Sequence, residues 1–154
     1  MLFKETAFLR LFGLTKIPMI LFTSPTVHKL DEEGCVIEIK LNHRTRNHLK
    51  SMYFGALAVG ADCCGGMNAM MAIRKSRSKV SLIFKDFHAE YTKRADGNVV
   101  FTTRDGRAIS EGVAKADATG ERINIPVNII ATVPQKYGDE PVAKFVLTLS
   151  LKRK

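Results

Sequence analysis

The stretch Asn47–Gly66, NHLKSMYFGALAVGADCCGG, decides the fold. It sets an asparagine 15 positions before a lone aspartate, Asp62, and fills the last turns between them with glycine, alanine and other small residues. A helix carrying Gly55, Gly60, Gly65 and Gly66 has poor intrinsic propensity, because each glycine costs roughly 1 kcal/mol against alanine. Such a helix holds only when something packs closely around it, and small residues are what close backbone approach requires. Ser51 is a suitable N-cap for it, and the pattern runs to about Ile73. An unpaired carboxylate is expensive to bury, so Asp62 needs a partner or a task.

Upstream, Phe8, Leu11, Phe12, Leu14 and Leu21 fall close to helical spacing and predict one or two short helices over residues 4–21, ended near Pro18 and Pro25. Gly34 opens a strand over Cys35–Leu41, with Cys35, Ile37, Ile39 and Leu41 on one face. Downstream the period changes to two. Val80, Leu82 and Phe84 begin a strand that continues through Phe87 to Tyr91. Asp96-Gly97 reads as a tight turn before Val99–Thr103, and Asp105-Gly106 as a second turn leading into a strand over Ala108–Ala118. Ile123–Val133 and Val142–Leu151 complete the set, joined by a turn over Pro134–Pro141. Ala143, Phe145, Leu147, Leu149 and Leu151 share one face of the last strand. Strands joined by short turns pair antiparallel. The expectation is an α+β fold in which a curled sheet wraps the helix Ser51–Ile73 on its concave face. One domain, 1–154, is expected, with a helical segment over 1–28 and a core over 30–153.

This order of elements and the Asn47–Asp62 segment resemble the hotdog fold of acyl-CoA thioesterases. The nearest likeness is to the phenylacetate-pathway type and its thioesterase-like relatives. Their motif is an asparagine, a loop, a His-Gly-Gly opening the central helix, and an acidic residue nine positions after the histidine, a spacing that Tyr53 and Asp62 reproduce. Asn47 matches the asparagine, Gly55 the second glycine and Asp62 the acid, and the likeness covers residues 30–153. Tyr53 stands where the family has histidine, Phe54 where it has the first glycine, and Lys50 at a loop position that is often glycine.

The resemblance implies hydrolysis of an acyl-CoA, taken as substrate, with no cofactor. Backbone N–H groups of Phe54 and Gly55 would polarise the thioester carbonyl, helped by the partial positive charge at a helix start. Asp62, facing a second subunit, would act as general base or nucleophile, and Asn47 would orient the attacking water. Tyr53 is either a core aromatic or a hydroxyl donor in the histidine's place. The replacements at Tyr53 and Phe54 leave open a non-catalytic acyl-CoA or lipid binder. From the residues alone, Asp62 also reads as a carboxylate bonded to a neighbouring strand, and Asn47 as a turn or cap residue. Hotdog domains pair through their sheets, so a homodimer or homotetramer is implied.

The formal charge of +9 and pI of about 9.7 favour polyanionic partners. Arg44, Arg46, Lys50 and the run from Arg74 through Arg77 to Lys79 are candidates for the phosphates of coenzyme A. None of the nine phenylalanines lies inside the basic runs, which argues against a nucleic-acid module built on base stacking. The greasy stretch Phe8–Phe22 is broken by Arg10, Lys16 and Pro18, so it falls short of the roughly 20 apolar residues of a membrane span. It also lacks a cleavage site for a leader. Three cysteines, two of them adjacent, form no disulfide framework and read as free thiols of a reducing cytoplasm. The four histidines have no zinc-site spacing, and neither a G-x-S-x-G elbow nor a phosphate-cradling G-x-x-x-x-G-K is present.

Overall fold

In a computed structural model describing residues 1–154, the chain runs α1 (Phe3–Thr15), α2 (Pro18–Thr23), β1 (Thr26–Leu30), β2 (Cys35–Ile39), α3 (Phe54–Ser76), β3 (Val80–Tyr91), β4 (Val99–Thr103), α4 (Gly106–Thr119), β5 (Ile123–Thr132), α5 (Pro134–Tyr137) and β6 (Pro141–Arg153). The strands form one six-stranded sheet in the order β1-β2-β4-β5-β6-β3, antiparallel at every step. Alternation puts Ile125, Val127 and Ile129 of β5 on the inner face, where they sit opposite Leu149, Leu147 and Phe145 of β6. The sheet curves around α3, as the small-residue pattern predicts. A Cβ at Gly60 would collide with the ring of Phe101, and one at Gly65 would come within 2.9 Å of Leu147 Cδ1. By length and composition α3 alone among the helices is apolar enough to cross a bilayer, yet it is the core helix, with residues such as Ala61, Cys64 and Ala69 fully buried.

A one-residue bulge at Lys85 breaks the register of β3 against β6. Phe84 faces Leu149 and Phe87 faces Leu147, so the extra residue keeps both phenylalanines on the inner face. The other edge of β3 pairs with nothing. The N-terminal helices are tied to β1: the Arg10 guanidinium donates to Pro25 O, Ser24 O and Thr26 Oγ1, and the amide of Val27 donates to Thr6 Oγ1. Leu9 and Ile20 join the core from that side.

Several expectations need correction. Residues 106–119 are helix, not strand: Ile109, Gly112, Val113 and Ala116 are buried at three- and four-residue spacing, the period of a helix face. A Cβ at Gly112 would collide with Ile125, so α4 also rests on the sheet through a glycine. Asp105 stands at its start, but its carboxylate accepts bonds from Asn128 N and Nδ2 on β5 rather than capping the helix. Asp96-Gly97 does not close a hairpin, because β3 pairs with β6 and β4 with β2 and β5. Asp96 instead bonds Lys136 and Tyr137, which hold its carboxyl below the usual range. A one-turn helix, α5, lies inside the connection over Pro134–Pro141, and β1 is a strand the pattern did not announce. The N-cap of α3 is Tyr53 rather than Ser51.

Candidate active site

The loop before α3 is built around Asn47. Its Oδ1 accepts bonds from Leu49 N (2.9 Å), Ser51 N (3.2 Å) and Ser51 Oγ (3.3 Å), while its own amide donates to Ser51 O (2.8 Å). This side-chain turn explains why Ser51 is unavailable as a cap. Lys50 takes a left-handed backbone (φ 61°) at the loop's tip. The carbonyl of Asn47 is therefore committed to the loop, and its side-chain N–H groups are left without a protein acceptor.

At the first turn of α3, Tyr53 caps without a side-chain bond. The first N–H inside the helix to find an acceptor is that of Leu57, bonded to Tyr53 O. The amides of Phe54, Gly55 and Ala56 remain as free donors at the positive end of a 23-residue helix. The ring of Tyr53 folds back over Gly55, where any Cβ would strike it, and packs on the ring of Phe54 at 4.7 Å. Tyr53 is thus no core aromatic: it is 47% exposed, and Phe54 is 60% exposed.

Asp62 lies two turns further on, about 10 Å along the axis from Gly55 at 1.5 Å per residue. It lines a cavity of about 250 Å³ between the α1–α2 hairpin, α3 and β3. Its carboxylate has no hydrogen-bond or ion-pair partner, and burial alone pushes it up to about 6. The adjacent Cys63 also lines the cavity, but burial and the nearby Asp62 push its thiol well up, and burial does the same to Cys64. Neither is a thiolate nucleophile.

The basic candidates separate into two groups. Arg44, Arg46 and Lys50 lie on the loop before α3, with Arg44 5.8 Å from the Phe22 ring centroid. Arg74 stacks on Phe8 at 4.5 Å near the other end of α3, and Arg77 is the left-handed C-cap. The 20 residues from Phe54 to Arg74 span about 30 Å. Within one copy these cations do not converge on one phosphate-binding place. Asn47, Lys50, Tyr53, Phe54 and Gly55 are gathered at the start of α3, and Asp62 stands apart from them. Sequence reading missed the walls of the Asp62 cavity contributed by Leu9, Phe12, Ile20, Leu82 and Phe84. Helical spacing pointed to Phe12, but nothing local joins α1 to Asp62.

A family model described as "Domain of unknown function (DUF4442)" matches residues 5–149. Among curated proteins, none matches the chain. Solved structures share its fold from end to end. A protein of Shewanella oneidensis whose name proposes a thioesterase superposes with a TM-score of 0.80 at 12% identity, covering 99% of this chain and 100% of that one. A Pseudomonas aeruginosa protein of unknown function, its name also proposing a thioesterase, gives 0.78 at 21% identity, covering 97% and 96%. A thioesterase enzyme of Staphylococcus aureus gives 0.66 at 12% identity, covering 88% and 98%. That enzyme has been crystallised with a glutamine replaced by alanine and, separately, with a glutamate replaced by alanine 15 positions further along. The likenesses carry the fold: a curved antiparallel sheet on a long central helix, the hotdog arrangement.

Proposed function

The chain belongs to the DUF4442 family, and from that premise we propose that it is a thioesterase-type hydrolase acting on an acyl-CoA. One observation carries the reading: Asp62 is an unpartnered carboxylate, raised to about 6, in an otherwise apolar cavity. A group tuned to that value is mostly ionised at pH 7 and still basic enough to accept a proton. Support comes also from spacing, since Asn47 and Asp62 are separated by the same 15 positions as the glutamine and glutamate altered in the Staphylococcus aureus enzyme.

In this mechanism the Asp62 carboxylate takes a proton from a water as the water oxygen adds to the thioester carbonyl carbon. The free side-chain N–H groups of Asn47 hold the water or the substrate, and the free amides of Phe54 and Gly55 receive the charge on the carbonyl oxygen. Collapse of the tetrahedral intermediate breaks the C–S bond. The leaving thiolate takes the proton back from Asp62, giving a carboxylic acid and coenzyme A. A reacting atom must lie about 3 Å from both base and oxyanion donors. Asp62 and the Gly55 turn of one copy are about 10 Å apart along the helix, so the site is completed by a second copy.

The unpaired edge of β3 is the surface for that copy. It is a 12-residue strand carrying Ile83, Phe84, Phe87 and Tyr91, each 39–55% exposed. Open apolar strand edges invite pairing. Phe84 stands at this edge and also walls the Asp62 cavity, so a copy paired along β3 would carry its α3 toward Asp62. Homodimers, singly or paired into a homotetramer, are the assembly. Arg44, Arg46 and Lys50 at the helix start serve the phosphates of coenzyme A, with Arg74 and Arg77 approaching from the partner. Three buried free thiols suit a cytoplasmic protein, and neither nucleic acid nor stable membrane insertion enters this reading.

Release of free thiol from a panel of acyl-CoAs tests it. Asp62→Asn should lower the rate about 100- to 10,000-fold, the range for losing a general base, with the circular dichroism spectrum unchanged. A variant as fast as the parent would reject the mechanism. A second reading, a binder without turnover, is favoured by the Tyr53 ring lying over Gly55. Saturable acyl-CoA binding with no thiol released by the parent would select it.

A further inference from the structure

The cavity beside Asp62 is partly open to the surface, and its end along α3 is made of two methionines. Leu9, Phe12 and Ile20 close it from the N-terminal hairpin, and Leu82 and Phe84 close it from β3. Along α3 it ends at Met67 and Met70. These same two side chains also line a second, outer cleft of about 610 Å³, which runs between α1 and the last turns of α3 and is rimmed by Lys4, Glu5 and Arg74. Methionine is unbranched and adapts its shape to what lies beside it. Met67 and Met70 are thus a partition between an inner chamber and an outer one. Gly66 faces the chamber too: a Cβ there would meet only Phe84, at 3.6 Å, so the space is partly a missing side chain.

Resting on the hydrolase reading above, we infer that the inner chamber holds the acyl chain of the substrate, that this chain is a linear aliphatic one of about ten carbons, and that Met70 sets the limit. The size follows from volume. A dry apolar cavity of about 150 Å³ takes up one benzene, six carbons, so the 250 Å³ beside Asp62 has room for about ten. The chemistry follows from the lining. Asp62 is the only charged group, at the place where a thioester carbonyl would lie, and beyond the weakly donating Cys63 thiol beside it the walls offer no polar side chain to a hydroxylated or dicarboxylic tail. The outer cleft becomes continuous with the chamber only when the methionines swing aside, so longer chains are accepted at a loss.

The test is a saturated straight-chain acyl-CoA series from two to sixteen carbons, with kcat/KM for each. In the parent, kcat/KM should rise about fourfold per added methylene, the worth of a buried methylene, and level off near ten carbons. Met70→Ala should move that limit by several carbons toward longer chains, by joining the chamber to the outer cleft. Gly66→Leu, which suits a helix better than glycine, should move it toward shorter ones. Thermal stabilisation by free fatty acids of the same lengths gives a second readout that needs no turnover. If thiol is released but both variants keep the parent's limit, the chamber assignment is overturned while the hydrolase stands. If no acyl-CoA is cleaved yet fatty acids stabilise with a limit that moves in these two directions, the chamber stands and the hydrolase falls. Failure of both readouts to depend on chain length overturns the chamber outright.

Discussion

Gly65 and Gly66 are neighbours in the chain and opposites in the fold. Gly65 faces the sheet, where an added Cβ would come within 2.9 Å of Leu147, and Gly60 faces Phe101 the same way. Gly66 faces the cavity beside Asp62, where an added Cβ would meet only Phe84 at 3.6 Å. One side of α3 uses small residues to bring two backbones together; the other uses them to leave room. A small-residue pattern therefore reports closeness on one face and vacancy on the next, and only the surrounding elements tell which.

The contrast is open to direct attack. The largest effect expected is on rate: Asp62→Asn on the hollow side should remove about 3–5 kcal/mol of transition-state stabilisation, the equivalent of about 100- to 10,000-fold, while Gly65→Ala on the packed side should leave kcat/KM within about tenfold in whatever fraction folds. If the two variants lose rate equally, the hollow side has no special chemistry. Next comes folding. Gly60→Ala forces a methyl into the Phe101 ring and should destabilise by about 1–3 kcal/mol, the range for overpacking. Gly66→Ala should leave stability unchanged or raise it by up to about 1 kcal/mol, the helix-propensity gain. Urea melts of both, side by side, would erase the distinction if they fell equally.

A smaller effect concerns pH. The Asp62 carboxyl titrates at about 6 in the folded protein against 3.8 when free. As pH rises from about 4 to 6 the unfolded chain ionises before the folded one, so this group withdraws stability over that window and the penalty is constant above it. One pKa unit corresponds to 1.36 kcal/mol, and partial exposure reduces the total, so Asp62→Asn should be more stable than the parent by about 1–2 kcal/mol at pH 8. The gain should vanish near pH 4. In the same variant pair, kcat/KM of the parent should fall about tenfold per unit below pH 6. A gain that persisted at pH 4 would point to packing rather than charge. An effect of comparable size is expected in the hairpin whose Leu9, Phe12 and Ile20 wall the cavity: Arg10→Ala, which removes three bonds to the 24–26 segment, should cost about 1–2 kcal/mol by urea melt.

The long strands and α3 were legible because each carries its evidence within itself. The alternation of Ala143, Phe145, Leu147, Leu149 and Leu151 in β6 is a property of a single segment, and that face came out as its period implied, whereas the bulge between Phe84 and Phe87 in β3 was not read from the sequence. The helix α4 was misread because its Asp105-Gly106 start looks like a turn, and a glycine at position 112 weakened the helical period that Ile109, Val113 and Ala116 keep. Strand β1 is five residues long with only Val27 fully buried, too little for alternation to declare itself. Asn47 and Asp62 could be singled out as candidates because they lie in one local stretch. The cavity walls could not, since Leu9 and Ile20 reach Asp62 across more than forty positions of chain. The exposed setting of Tyr53 was hidden for a similar reason: an aromatic followed by an aromatic at a helix start gives no sign of which way either ring turns.

The N-terminal hairpin stands outside the sheet and is fastened to it at few points, Arg10 and Thr6 among them. A compartment whose far wall is such an appendage can be resized by drift in α1 and α2 without disturbing the strands or the carboxylate they shelter. On the chamber proposal, appetite for one tail length or another would then be an evolutionarily cheap trait, rewritten in the first two dozen residues while Asp62 stays fixed.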